Sequence, residues 1–254
     1  MSMKAILAAA CAALTLCGTC RADSLTDVNA RNAKLPDYKA LHNKVDNFSK
    51  PMMWLFVGDS ITHGCMHTHT ERNFVEHWME IVKWEYGPKP GTRKEDIIIN
   101  TGVSGETATG FLPNAKWRLG QFKPDVVFIK FGINDANKVK DLEKFKKDLA
   151  SIVGMVRKAK AIPVLQVPML TTDGQANRPD YAEAVRTVAD KEKCLLVDHA
   201  AHWKEASGSD TAKAEWMNNA LHPNALGHRI MAYTIAKELG IQPNNSPTLK
   251  LPAK

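Results

Sequence analysis

Four short stretches of this chain hold residues that could do chemistry together. Gly58-Asp59-Ser60 ends an apolar run, Met52-Met53-Trp54-Leu55-Phe56-Val57. Asn100-Thr101-Gly102-Val103-Ser104-Gly105 and Gly132-Ile133-Asn134-Asp135 follow two more such runs, and Leu221-His222-Pro223-Asn224 precedes the last helical pattern. Acyl transfer needs a nucleophile, a base to take its proton, and donors for the developing oxyanion. Ser60 can be the nucleophile and His222 the base, while the Gly102 N–H and the Asn134 side-chain amide can donate. Each stretch alone has a plainer use. A serine after a strand caps the next helix, Gly102 makes a turn, Asn134 bonds its own backbone, and a loop histidine faces water. The combination points to a serine hydrolase, and among those to an esterase.

The elements between these stretches must place them at one edge of a sheet. Five apolar runs read as buried strands: 53–57, 97–100, 126–131, 163–167 and 195–198. They are short, β-branched and nearly continuous, as expected when both faces are covered. Helical patterns separate them. One runs through Phe74, Trp78, Ile81, Val82 and Tyr86, and a second through Leu142, Phe145, Leu149, Ile152, Val153 and Val156. A third holds Tyr181, Val185 and Val188, and a fourth Leu226, Ile230, Tyr233, Ile235 and Leu239. Strand alternating with helix argues for a parallel sheet covered on both sides, with ligands outside the carboxyl ends of the strands. Ser60, Gly102 and Asn134 all fall there. His222 precedes Pro223, which pushes its backbone toward extended geometry at the sheet rim.

The four blocks, in this order and context, resemble the SGNH hydrolases, also called GDSL-like esterases and lipases. The resemblance spans about residues 52–240. It implies a flavodoxin-like three-layer α/β/α sandwich with a five-stranded parallel sheet. It implies Ser60 as nucleophile, His222 as base, and an oxyanion hole from the Ser60 N–H, the Gly102 N–H and the Asn134 side chain, with no cofactor. One position departs from the family pattern. Asn219 stands three residues before His222, where the family usually has Asp. An amide oxygen can still accept the histidine Nδ1–H, but it carries no charge. The expectation is a Ser60–His222 dyad oriented by Asn219 or a carbonyl; Asp210 and Glu215 are the nearest carboxylates in sequence.

Composition sets the surroundings. The chain has 254 residues, 44% hydrophobic and 24% charged, which suits one well-packed α/β domain. Residues 1–22 read as a secretory signal peptide: Lys4, an apolar stretch from Ala5 to Leu16, and a small residue at Ala22. A lipidated Cys17 or Cys20 is the minority alternative. Export predicts a secreted or periplasmic protein. Residues 23–50 read as a lead-in packed on the body, 51–241 as the hydrolase domain, and 242–254 as a loose tail with Pro243, Pro247 and Pro252. Export leaves Cys65 and Cys194, which could pair in an oxidising compartment.

The formal charge of +7 falls to +5 without Lys4 and Arg21. That surplus reads as ordinary solubility, and no aromatic-basic platform for nucleic acid is visible. His63, His67 and His69 crowd the loop after Ser60 without zinc spacing, so no metal is expected and the three line the site mouth or face water. Trp203 or Trp216 could stack on sugar. The expected substrate is a small or polysaccharide ester, O-acetyl carbohydrate above all. Lysophospholipid, lipid ester or thioester is the alternative within enzymes. A catalytically weakened carbohydrate-binding or surface protein is the alternative outside them.

Overall fold

The computed structural model describes residues 25–64, 66–174 and 178–250. The signal-peptide reading and Cys65 lie outside them. Five parallel strands form one sheet in the order β2-β1-β3-β4-β5: β1 Met53–Gly58, β2 Ile97–Asn100, β3 Val126–Lys130, β4 Ile162–Val167 and β5 Leu195–Asp198. The order reverses between β1 and its two neighbours, which opens a crevice at the carboxyl ends where ligands bind in such sheets.

The helices are α1 Leu25–Asn32, α2 Pro36–Val45, α3 Ser60–His63, α4 Phe74–Glu80, α5 Ala108–Phe111, α6 Leu142–Lys158, α7 Pro179–Lys191, α8 His199–Ser207 and α9 Ala225–Glu238. Side chains alternate across each strand, so each face of the sheet owns a core. Trp54, Phe56, Phe128, Val164 and Val197 face α2, α4 and α9. Leu55, Val57, Ile129, Leu165 and Leu196 face α5, α6 and α7. Phe56 and Phe128 stack at 4.3 Å across the β1–β3 pair. This is the three-layer α/β/α sandwich that the strand and helix patterns predict.

The lead-in packs as two helices. Asn32, at the end of α1, lies against β5: its amide donates to the Leu196 carbonyl at 2.8 Å and its oxygen accepts the Leu196 N–H at 3.0 Å. The stretch 242–250, expected to be loose, is tied to the body. Arg229 donates to the Thr248 carbonyl at 2.6 Å, Thr248 Oγ1 donates to Glu85 at 2.6 Å, and Leu249 packs on the core. Prolines there shape a held strap rather than a free end. Cys194 is buried at the start of β5, and burial pushes its thiol up to about 12. No helix among the described residues is long and apolar enough to cross a membrane.

Candidate active site

The turn that holds Ser60, the expected nucleophile, follows from local chemistry. Asp59 caps α3 by accepting the Ile61 N–H at 3.0 Å, which ends β1 and places Ser60 at the first helical position. The same Asp59 oxygen lies 3.3 Å from Lys130 Nζ, and both side chains are buried. Burial pushes the Lys130 ammonium down, against the pull of Asp59. A buried pair loses more when one partner is removed than the intact pair contributes. Lys130→Met is therefore expected to lower unfolding stability by about 3 kcal/mol, read from the denaturant midpoint. A loss below about 1 kcal/mol would show that Asp59 does not depend on this cation.

His222, the expected base, rides on a hairpin. Met217 and Pro223 form an antiparallel bridge, the Asn218 N–H donates to the His222 carbonyl at 2.9 Å, and the Asn224 N–H donates to Trp216 O at 2.9 Å. Asn224 then caps α9 by accepting the Gly227 N–H at 3.1 Å. His222 Nε2 lies 2.9 Å from Ser60 Oγ across 162 residues of sequence.

Asn219 is the ring's other partner. Its Oδ1 accepts the backbone N–H groups of Leu221 at 2.9 Å and His222 at 2.8 Å, and stands 3.1 Å from His222 Nδ1. Backbone N–H groups only donate, so the atom they meet must be the oxygen rather than the amide nitrogen. An oxygen there can only accept from Nδ1. The neutral ring then carries its proton on Nδ1 and offers the Nε2 lone pair to Ser60, as a general base requires. Asp210 pairs with Lys204 at 2.6 Å instead, and the ring's hydrogen-bond partners are Ser60 and Asn219. Burial pushes His222 down to about 4 and the nearby His67 adds to this, while Asp59 pulls up and Lys130 pushes down.

The expected oxyanion donors differ in availability. Asn134 begins the turn after β3, half-buried, and no hydrogen bond within the described residues engages its side-chain amide. Asp135 holds that turn, accepting the Gly132 N–H at 3.0 Å and the Ala108 N–H at 2.8 Å. Burial raises Asp135 to about 6 despite those donors. Gly132 has φ +138°, a conformation side chains rarely adopt. The Gly102 N–H is already engaged, donating to Asn100 Oδ1 at 2.9 Å, while Asn100 Nδ2 donates to the Thr62 carbonyl at 2.7 Å. Gly102 has a steric reason of its own, because a Cβ would stand 2.5 Å from the His63 nitrogen. Its N–H reaches an oxyanion only by sharing its hydrogen with Asn100 or leaving it.

Other expectations land elsewhere. Trp203 and Trp216 are buried edge-to-face at 5.3 Å and present no platform to a sugar. His63 meets Ser104 at 3.1 Å, and His67 lies over His222. Among the described residues no three His, Cys, Asp or Glu side chains form a ligand-like group. Sequence reasoning missed Asn100 and Lys130; the signal for Lys130 was a charge inside the otherwise apolar 126–131 run.

Two cavities lie in the same region, and Ser60 and His222 line neither. One of about 710 Å³ opens beside Gly132 and Ile133 and mixes Met169, Leu170 and Tyr181 with Arg178 and Lys204. The other, about 530 Å³, lies by His63, Asn73 and Asn100.

A family model described as the GDSL-like lipase/acylhydrolase family matches residues 56–230. An acetylxylan esterase from Geobacillus stearothermophilus is 27% identical over 217 residues, covering 74% of this chain and 94% of that protein. A crystal structure of an acetylxylan esterase from the same organism superposes with a TM-score of 0.64 at 23% identity, covering 77% of this chain and 97% of that one. An α/β hydrolase enzyme from the metagenome of Lake Arreo, Spain, does so with a TM-score of 0.62 at 21% identity, again covering 77% and 97%. At these identities the two structures speak for the fold.

Proposed function

We propose that this chain, which belongs to the GDSL-like lipase/acylhydrolase family and is a serine carboxylesterase, removes short acyl groups, O-acetyl above all, from carbohydrate. Ser60 attacks the ester carbonyl while His222 Nε2 takes its proton. The Ser60 N–H and the Asn134 amide receive the developing oxyanion, joined by the Gly102 N–H if Asn100 yields it. His222 returns the proton to the leaving alcohol, and water releases the acyl group from Ser60 by the same steps. Asn219 keeps the ring in the tautomer these transfers need. The 2.9 Å contact between Ser60 Oγ and His222 Nε2 carries the chemistry. The 27% identical acetylxylan esterase, matched over 94% of its length, supports the carbohydrate ester. The polar side chains gathered at the Ser60–His222 contact, Asn218, Asn219, His63 and His67, suit a hydroxyl-rich alcohol better than a long alkyl chain. The apolar stretch at residues 5–16 after Lys4 supports export to the periplasm or the exterior.

The cavity beside Ile133 favours a second reading. Its apolar wall of Met169, Leu170 and Tyr181 could take a longer acyl chain, which would make the substrate a lipid ester or thioester. Turnover of p-nitrophenyl acetate against octanoate, and acetate release from acetylated xylo-oligosaccharides, separate the two. Acetate preferred by about tenfold or more is the expected result, with oligosaccharide deacetylation. Octanoate preference without deacetylation would discard the carbohydrate reading. A fluorophosphonate probe should label Ser60; an unlabelled Ser60 in folded protein would discard the esterase chemistry at this serine.

A further inference from the structure

His67, in the loop after α3, has no part in the steps above, yet it makes the closest ring contact in the site. Its imidazole lies flat on that of His222, with centroids 3.6 Å apart and planes 2° from parallel. The contact is tied in from both sides. The Asn218 side chain, on the base's own hairpin, donates to the His67 carbonyl at 2.6 Å, and the His67 N–H donates to Gly64 O at 3.2 Å. The need for such a contact follows from the bonding of His222. Its partners, Ser60 at Nε2 and Asn219 at Nδ1, both bond in the plane of the ring. Such bonds resist rotation of the ring about its Cβ–Cγ bond only through their angles, and that torsion of histidine is broad and shallow. The rotation carries the Nε2 lone pair off the Ser60 proton. A flat surface against one face removes that freedom.

We propose that His67 is a positioning residue for the base, fixing the tilt of the His222 ring and excluding water from one of its faces. The proposal rests on His222 being the base. It has a consequence for pH. His63 acts on His67 from the end of α3 and His69 from its own loop; Asp59, at the start of α3, and Lys130, at the end of β3, act on His222; Asn218 and Asn219 face the pair from the hairpin. A proton on His67 puts a positive charge against a ring that must itself become imidazolium during turnover. Among the described residues Asp59 is the carboxylate that pulls His222 the other way. Burial, then His63 and His69, push His67 down, so the stacked ring stays neutral at ordinary pH.

The test compares wild type with His67→Phe, which keeps a flat face and cannot titrate, and His67→Ala, which removes the face. Two readouts are taken: kcat and KM for p-nitrophenyl acetate against pH, and the His222 ring titration by NMR of histidine-labelled protein, assigned with His222→Ala. His67→Ala is expected to lower kcat about tenfold at neutral pH, with KM changed less than about twofold. Its His222 should titrate closer to the ordinary value of about 6.5. His67→Phe should recover kcat to within about threefold of wild type and place the titration between the other two. The proposal is overturned if the three proteins share one kcat profile and one His222 titration, or if Phe is as impaired as Ala. Ser60→Ala is run alongside. If that variant still hydrolyses the ester, the esterase assignment to this serine fails, and the ring titration, which needs no turnover, decides the stack by itself.

Discussion

Alanine in place of Ser60 is expected to lower kcat on a short-chain ester by about 10⁴-fold or more, and alanine in place of Asn219 by about 10²–10³-fold with KM little changed. The second figure carries the mechanism. In a serine protease, Asn for the triad Asp costs about 10⁴-fold because the amide selects the wrong histidine tautomer. Here the Leu221 and His222 N–H groups lock the Asn219 oxygen toward Nδ1, so the amide selects the right one. Alanine removes that selection and the turn around it together. Asn219→Asp keeps an oxygen on all three donors and adds a charge. It should raise kcat about tenfold and move the acid limb of the pH–rate profile upward from about 4, because a carboxylate stabilises the imidazolium. A kcat for Asn219→Ala within about threefold of wild type would mean that serine and histidine need no orienting partner. A large gain for Asn219→Asp from a nearly inert wild type would mean that the natural chain is a weakened hydrolase.

Acid should unfold this protein over a narrow range, starting at about pH 6.5. His199, His202 and His228 are buried. Burial holds His199 well below the ordinary value, with Lys130, His202 and His228 adding to it. Burial alone takes His202 to about 4, and burial with His77, Lys130 and His222 takes His228 to about 3. The His228 hydrogen bond needs the neutral ring, and the His202 bond fixes which nitrogen carries the proton. His228 Nδ1 accepts the Phe74 N–H at 3.3 Å, and a proton there would break that bond. His202 Nδ1 donates to Thr234 Oγ1 at 2.6 Å, since the Thr234 proton is committed to the Ile230 carbonyl. Below about pH 6.5 the unfolded chain takes three protons that the native fold refuses, so stability is lost as pH falls toward about 4. Each refused proton costs about 1.4 kcal/mol per pH unit. Asp135 works the other way: its native carboxyl, raised to about 6, binds a proton before the unfolded one does. From these four groups the net loss is about 3 kcal/mol per pH unit, enough to exhaust the lower part of a typical 5–15 kcal/mol between about pH 6.5 and 4, and His77 and His222, also held down to about 4, add to it. Denaturant midpoints at pH 7 and pH 5 measure it. A difference under about 1 kcal/mol would mean that these histidines are not held neutral by the fold.

What the sequence shows and hides has a physical pattern. The strand readings 97–100 and 195–198 coincide with β2 and β5, because short apolar runs between turns resemble little else, even where, as in the edge strand β2, the residues are exposed or half-buried. The placement of Ser60 and Asn134 at the carboxyl rim follows from the ends of β1 and β3, while His222 comes to Ser60 on a hairpin before α9. The helix α8 was not legible: its buried residues mix His199 and His202 with Ala200, Ala201 and Trp203, which gives no clean apolar stripe. The role of Asn219 was open between an amide and a carbonyl orienter. Its answer depends on a backbone turn that aims two N–H groups at one oxygen, which residue types alone do not specify. The Asn100 hold on Gly102 and the His67 stack are contacts between separate loops, and no local pattern encodes them.

Asn32 carries a consequence beyond the site. β5 is the last strand of the sheet, and the outer Leu196 N–H and carbonyl would face outward as a template for another chain. A single side-chain amide from α1 occupies both groups. It mimics one peptide unit of a sixth strand and stops the sheet from growing. The N-terminal helices thus guard against self-association as well as covering the core, and a chain trimmed past Asn32 would offer its own copies a free edge to extend.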